Sequence, residues 1–264
     1  MFDRAAHERV HAQELLDANA RAIVSDGSAF AVHNDSLTTV AVDAEPLAFL
    51  GRLDGAPLFL LRGDPGAGAV DFRAAAAALA RDQVEVLSLA KALLEWDARA
   101  KFCGACGTAL TNARGGFVRS CAQCGMETFP RLDPAVIMLV TLGERALLAR
   151  HHAYSNRWST LAGFVEPGET LEAAVAREVL EETGVVAASV TYFGSQPWPL
   201  PSSLMVGFRV VAATAEIRVD PEELADARWF TREEIVEQNV PLSGPVSISR
   251  ALIDAWLRYA GPSP

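Results

Sequence analysis

The feature that most constrains this chain is one run, GFVEPGE at 163–169 closing as REVLEETG at 177–184. Its defining positions are Gly163, Glu169, Arg177, Glu178, Glu181, Glu182 and Gly184. At average residue frequencies a given window matches all of them by chance roughly once in 10⁸. The pattern predicts a glycine-rich loop leading into a helix, with Glu178, Glu181 and Glu182 at i, i+3 and i+4. At 3.6 residues per turn these share one face. Like charges so close cost stability unless a cation neutralises them, and hard oxygen ligands favour Mg²⁺ or Mn²⁺. The alternative is a solvated acidic face. Against it, Leu171 projects within about 20° of both Glu178 and Glu182, so the glutamates extend the apolar stripe rather than oppose it. The spacing predicts a metal site.

The same run resembles, at every defining position, the signature of the Nudix hydrolases, which cleave nucleoside diphosphates linked to another group. The resemblance implies an α/β/α sandwich with a mixed sheet, divalent metals on the loop-helix-loop, and attack of water on a pyrophosphate phosphorus. Carried over by position, it implies Glu178 and Glu182 as metal ligands, and Glu181 as a ligand or the general base. Arg177 would orient the carboxylates, Glu169 support the loop, and the backbone carbonyl of Ala162 add a ligand. Within DPEEL at 220–224 it points to Glu223, rather than Glu222, as a metal or substrate contact, against a bland role in turn capping. The chemistry is coherent. A pyrophosphate repels an anionic nucleophile, so the catalyst must neutralise charge and activate water near neutral pH.

A second segment, SQPWPLPSS at 195–203, holds three prolines in five residues. Fixed φ angles and missing N–H donors exclude such a stretch from a central strand and predict a rigid loop. By itself it reads equally as an ordinary turn with Trp198 as packing. Beside the first motif it resembles the NADH pyrophosphatase branch of the Nudix hydrolases. That resemblance implies dinucleotide contacts from Ser195, Gln196, Pro197, Trp198, Pro199, Leu200, Pro201, Ser202 and Ser203. It also implies a backbone contact at Ser249, and a substrate contact at Phe129, where relatives often carry tyrosine and this chain lacks the hydroxyl. Phe164 reads either as core or as a ring that stacks on a base. His151, His152 and the other histidines show no ligand spacing and read as surface residues.

The cysteines form C-x2-C-x14-C-x2-C: Cys103, Cys106, Cys121 and Cys124. Each pair is followed by glycine, and four thiolates at this spacing suit a closed tetrahedral Zn²⁺ site. The competing reading, two disulfides, needs an oxidising compartment. The N-terminal MFDRAAHERVHAQELL is charged and lacks an apolar signal region, so a reduced, cytoplasmic setting is expected.

With 264 residues, half of them apolar, the chain is long enough for two modest domains or one large one, and no apolar stretch approaches membrane-span length. Three parts are expected: an N-terminal α/β domain at 1–95, a zinc ribbon at 96–130 and the Nudix domain at 131–264. In the first, strands are expected near 29–33 and 57–61 and helices at 72–80 and 84–96. In the last, a buried strand at 135–141 turns at Gly143 into a partner at 145–150. The motif helix follows, then strands near 185–192, 204–212 and 227–230, and helices at 231–238 and 247–259. Thr231 with Glu234 forms a capping box.

The net charge of −10 disfavours indiscriminate nucleic-acid binding. Locally, Arg99, Lys101, Arg114, Arg119 and Arg131 face only Glu127. These read either as ordinary ribbon surface or as a patch that tracks phosphates. Taken together, the resemblance implies hydrolysis of NADH or NAD⁺ to nicotinamide mononucleotide and AMP, with removal of an NAD cap from RNA 5′ ends as a second activity. It implies a homodimer and no membrane partner. A nucleotide-sensing or RNA-binding module without turnover is the competing class, and the intact Glu178, Glu181 and Glu182 argue against it.

Overall fold

The computed structural model describes residues 1–17, 19–152 and 156–258. They form two units, Met1–Leu132 with Trp198–Ser202, and Asp133–Pro197 with Ser203–Pro264.

In the first unit the strands Arg21–Ser25, Ala48–Leu53 and Ala56–Arg62 are the centre of a mixed five-stranded sheet. Its interior is Ala22, Ile23, Phe49, Leu50 and Leu58–61. Helix α1, Phe72–Ala78, begins at Asp71, whose carboxylate accepts the Arg73 and Ala74 N–H groups. Helix α2, Arg81–Arg99, buries Val86, Leu87, Ala90, Leu93 and Leu94, a 3.6-residue repeat. The expected strand near 29–33 is broken into Ala29–Phe30 and Val32–His33, which pair with different partners.

The cysteine segment follows as a three-stranded antiparallel sheet, Leu110–Ala113, Val118–Cys121 and Glu127–Thr128. It is joined to α2 through Asp97. One carboxylate oxygen accepts from Arg119 at 2.7 Å, and the other from Arg62 at 2.8 Å and Lys101 at 2.9 Å. Arg119 and Asp97 are both buried, and the Arg119 guanidinium also lies over the Trp96 ring at 5.0 Å. Arg119 is therefore no part of an exposed phosphate-tracking patch. A guanidinium without water needs an internal counter-charge, and Asp97 supplies it. Of the other cations, Arg114 pairs with Glu127 and Arg99 with Glu95.

The second unit is built on the strand Asp133–Leu142, which reads DPAVIMLVTL because both of its faces are covered. Val136, Met138 and Val140 face a core with Ala174, Val175 and Val179 of helix α3, Leu171–Thr183. Ile137 and Leu139 face the opposite core with Ile248, Leu252, Ile253 and Trp256 of helix α5, Ile248–Arg258. This is a helix–sheet–helix sandwich. The six-stranded sheet is mixed: Asp133–Leu142 runs parallel to Ser203–Ala212 and antiparallel to Arg145–His151 and Leu161–Phe164. Helix α4, Arg232–Glu237, starts at the Thr231–Glu234 capping box. Tyr259, the expected end of the last helix, lies outside the described residues.

One local expectation is corrected. The proline-rich segment is not a loop throughout, because the strand Ala187–Trp198 includes Ser195, Gln196, Pro197 and Trp198. That strand is the outermost of its sheet, and an edge strand tolerates a residue without an N–H. The turn begins only at Pro199.

Candidate active site and zinc centre

Gly163 sits in the strand Leu161–Phe164 opposite Val136, directly against α3. A side chain there would meet the Glu178 carboxylate at 1.9–2.2 Å, so only glycine lets strand and helix approach. The helix is delimited locally, since the Thr170 hydroxyl caps its first turn and Gly184 ends it at φ 69°. Arg177 organises the acids. Its guanidinium donates to both Glu169 oxygens, to Glu178 and to Glu181, each at 2.9 Å, and to the Phe164 carbonyl at 3.0 Å. Glu169 in turn accepts the Glu166 N–H at 3.1 Å, which ties the loop to the helix.

Three carboxylates converge. Oxygens of Glu178, Glu182 and Glu223 lie within 4.8 Å of one another. Glu223 reaches this cluster because the chain before it docks on the end of α3, with Arg218 N–H donating to the Thr183 carbonyl and Asp220 N–H to that of Glu182. Asp220 then closes the turn by accepting the Glu222 N–H on its side chain and that of Leu224 on its carbonyl. Burial raises the Glu178 carboxyl above its ordinary range, against the pull of Arg177. Burial, reinforced by Glu178 and Glu223, pushes Glu182 up to about 8. Oxygen Oε2 of Glu182 is buried and, among the described residues, has no hydrogen-bond partner. A buried acid left unsatisfied beside two others is the donor set a hard divalent cation fits.

Glu181 is not part of this cluster. It is exposed, on the rim of the helix face, with its carboxylate held by Arg177. Its direction differs from that of Glu182 by about 100°, so the two share the helix face only in part. Ala162 lies beside Gly163, opposite Ile137. Phe164 is 61 % exposed, which rules out the core-packing reading of that ring.

Of the remaining candidates, Gln196 is occupied internally. Its amide donates to the Val246 carbonyl at 2.6 Å and accepts the Ile248 N–H at 2.8 Å, pinning the start of α5. Ser249 is buried, its hydroxyl accepting the Thr160 N–H and meeting those of Ser159 and Ser243. Ser203 is buried and Ser195 and Pro197 are exposed. Phe129, 58 % exposed, and Trp198–Ser202 belong to the first unit.

His151 departs from the surface expectation, whereas His152 is exposed as expected. His151 is half-buried beside Glu223, which opposes the downward push of burial on the imidazole, and His152 donates from Nε2 to the Pro221 carbonyl at 3.0 Å. Both grip the turn that carries Glu223. Nothing in their spacing signals this, because strand register brings His151 opposite Leu224.

The four cysteine sulfurs lie within 4.8 Å of one another, with contacts of 3.5, 3.6 and 3.7 Å. A tetrahedron with Zn–S near 2.3 Å has edges of about 3.8 Å. A disulfide would need about 2.05 Å, and all four thiols are free. The two halves repeat one another. Cys103 and Cys121 each accept, on their carbonyl, the N–H of Gly107 or Gly125, both at φ 74°. The glycine after each pair is thus required by a left-handed turn. The sulfurs fit structural zinc.

The NUDIX domain family matches residues 131–248, and the NADH pyrophosphatase zinc ribbon domain matches residues 98–129. The NAD-capped RNA hydrolase NudC of Stutzerimonas stutzeri is 41% identical over 224 residues, covering 81% of this chain and 79% of that one. The chain belongs to the Nudix hydrolases. Its ribbon places it in the NADH pyrophosphatase branch. The NudC of Mycobacterium bovis BCG Pasteur is also 41% identical, across 79% of this chain and 74% of the relative. Nudix hydrolase 19, chloroplastic, of Arabidopsis thaliana is 48% identical over 59% of this chain and 38% of its own length. Nudix enzymes act with divalent metals, and the cluster of Glu178, Glu182 and Glu223 fits one.

Proposed function

We propose that this Nudix hydrolase cleaves the pyrophosphate bond of NADH or NAD⁺ to nicotinamide mononucleotide and AMP, and removes NAD caps from RNA 5′ ends. The observation that carries this reading is similarity spanning ribbon and Nudix domain together, to relatives whose named activity is NAD-cap hydrolysis.

In this proposal Glu178, Glu182 and Glu223, with the Ala162 carbonyl, hold Mg²⁺ or Mn²⁺. When bound, these ions neutralise the pyrophosphate and lower the pKa of water. Arg177 orients Glu178 and Glu181, which its hydrogen bonds to both support. Glu181, outside the buried cluster and open to solvent, is suited to take the proton from the attacking water as general base. The exposed ring of Phe164 stacks on a base or the nicotinamide. The 195–203 segment, Phe129 and the backbone near Ser249 contact the dinucleotide. Gln196 then acts through the start of α5 as well as directly, given its bonds there. The four cysteines hold zinc structurally. A homodimer and a cytoplasmic location belong to the same proposal on the family resemblance, and among the described residues no helix is long and apolar enough to cross a membrane.

The test is product analysis after incubation with NADH, NAD⁺, ADP-ribose and NAD-capped RNA, with and without Mn²⁺. Metal-dependent release of nicotinamide mononucleotide from the dinucleotides or the capped RNA is expected. Turnover of ADP-ribose alone would overturn the substrate assignment.

A further inference from the structure

Trp198 is gripped by the start of α1. Phe72, buried in the first unit, meets the indole edge-on, with ring centroids 6.1 Å apart and planes at 89°. The Arg73 guanidinium lies 5.6 Å from the centre of the same ring. Both residues stand in a locked turn. Asp71 accepts the N–H of Arg73 at 2.7 Å and of Ala74 at 2.9 Å, and Val70 and Asp71 pair with Phe30 and Ala29. Arg73 is exposed and, among the described residues, has no carboxylate partner. An unpaired surface arginine is normally free to swing in water, so its place at an aromatic face is a specific contact.

The three prolines stiffen the segment but do not aim it. Fixed φ angles set the shape of the turn at 199–201, and the Leu200 N–H donating to the Trp198 carbonyl at 2.7 Å closes it internally. Its direction depends on what Trp198 rests against. By contact the stretch Trp198–Ser202 belongs to the first unit, although the strands on either side belong to the second.

We propose that Arg73 is a positioning residue for substrate binding: together with Phe72 it holds Trp198 and pre-organises the proline turn. This assigns a role to the N-terminal part of the chain, in which no chemical motif occurs. It rests on the reading that the 195–203 segment contacts the dinucleotide. A turn that is already ordered spares the substrate the entropy of ordering it, so loss of the anchor weakens binding. Chemistry at the carboxylates is untouched, so KM changes and kcat does not.

The test uses the full chain in two arms. In the first, hydrogen exchange is followed without substrate in peptides spanning 195–205. Arg73→Ala is expected to speed exchange there several-fold while α2 is unchanged. Unchanged exchange in the turn overturns the proposal, whatever the enzyme's substrate. In the second arm, steady-state kinetics on NADH are compared for wild type, Arg73→Ala, Arg73→Met and Arg73→Lys. The alanine and methionine variants should raise KM about threefold to tenfold, the range of a cation–π contact. Their kcat should stay within about twofold, and lysine, which keeps the cation, should restore KM. A matching fall in kcat with a lower Tm would mean a merely structural role and overturn the positioning role, as would an unchanged KM with a loosened turn. Absence of NADH turnover in the wild type would sink the functional reading instead, with the exchange arm still deciding the anchoring.

Discussion

Glu182 carries two burdens that a single substitution separates. Its carboxylate is buried with one oxygen unpartnered among the described residues, which costs stability in the metal-free protein, and it stands beside Glu178 and Glu223 as a proposed metal ligand. Glu182→Gln keeps the shape and removes the charge. Turnover at saturating Mn²⁺ should fall at least tenfold, about 1.4 kcal/mol in the barrier, while the metal-free Tm stays level or rises. A variant that keeps more than about a tenth of the activity would remove Glu182 from the metal site. Gly163 makes the complementary case, because it contributes no chemistry and only space. Gly163→Ala drives a methyl into the Glu178 carboxylate, so activity should drop by orders of magnitude. Metal titration by calorimetry would show the cause as weakened Mn²⁺ binding, and unchanged binding would contradict the close approach.

At the scale of elements, the ribbon and α3 fail in different ways. The ribbon has three short strands, so its fold is expected to depend on the zinc that its four sulfurs fit. Cys103→Ser should lower zinc content by elemental analysis and lower Tm, with NADH turnover retained until the protein unfolds. Immediate loss of turnover at a temperature where the fold persists would give the zinc a role in the chemistry. Helix α3 instead owes its place to apolar packing of Ala174, Val175 and Val179, so its acids can be changed without melting it. The proline-rich strand shows why element boundaries were misread. Period and proline content excluded a central strand, and the segment is an edge strand, a distinction that depends on neighbours distant in sequence.

For the whole molecule, Asp97 is the main electrostatic junction of the first unit, binding α2, the strand Ala56–Arg62 and the ribbon. Burial alone would raise its pKa, but Lys101, Arg62 and Arg119 hold it below the ordinary aspartate range. A depressed carboxyl contributes stability above its unfolded pKa, near 3.9, and loses it as pH falls through the lower folded value. Asp97→Asn should therefore lower Tm near neutrality, by about 3–5 kcal/mol of stability for a broken buried pair, and flatten the loss of Tm below about pH 4. Parallel acid limbs in the two proteins would refute this. The same junction separates two arginines that sequence could not distinguish. Arg119→Glu should reduce Tm and lower turnover of NADH and capped RNA alike. Arg114→Glu exchanges only an exposed pair with Glu127, worth about 0–1 kcal/mol, and should leave Tm and NADH kinetics unchanged. Thermal melts with single-turnover assays on both substrates would distinguish these outcomes. Much of the molecule was legible in its sequence because some chemistry is local. Carboxylates one helical turn apart, paired cysteines each followed by glycine, and a strand with six consecutive apolar residues at 135–140 carry their meaning in spacing alone. Tertiary structure decided what depends on long-range approach. It brought Glu223 to Glu182 and left Glu181 on the rim, set His151 behind Glu223, buried Arg119 on Asp97, and rested Trp198 on Phe72 and Arg73. The physical reason is that burial and counter-charge belong to the packed chain, and no local pattern records which distant side chain will supply them.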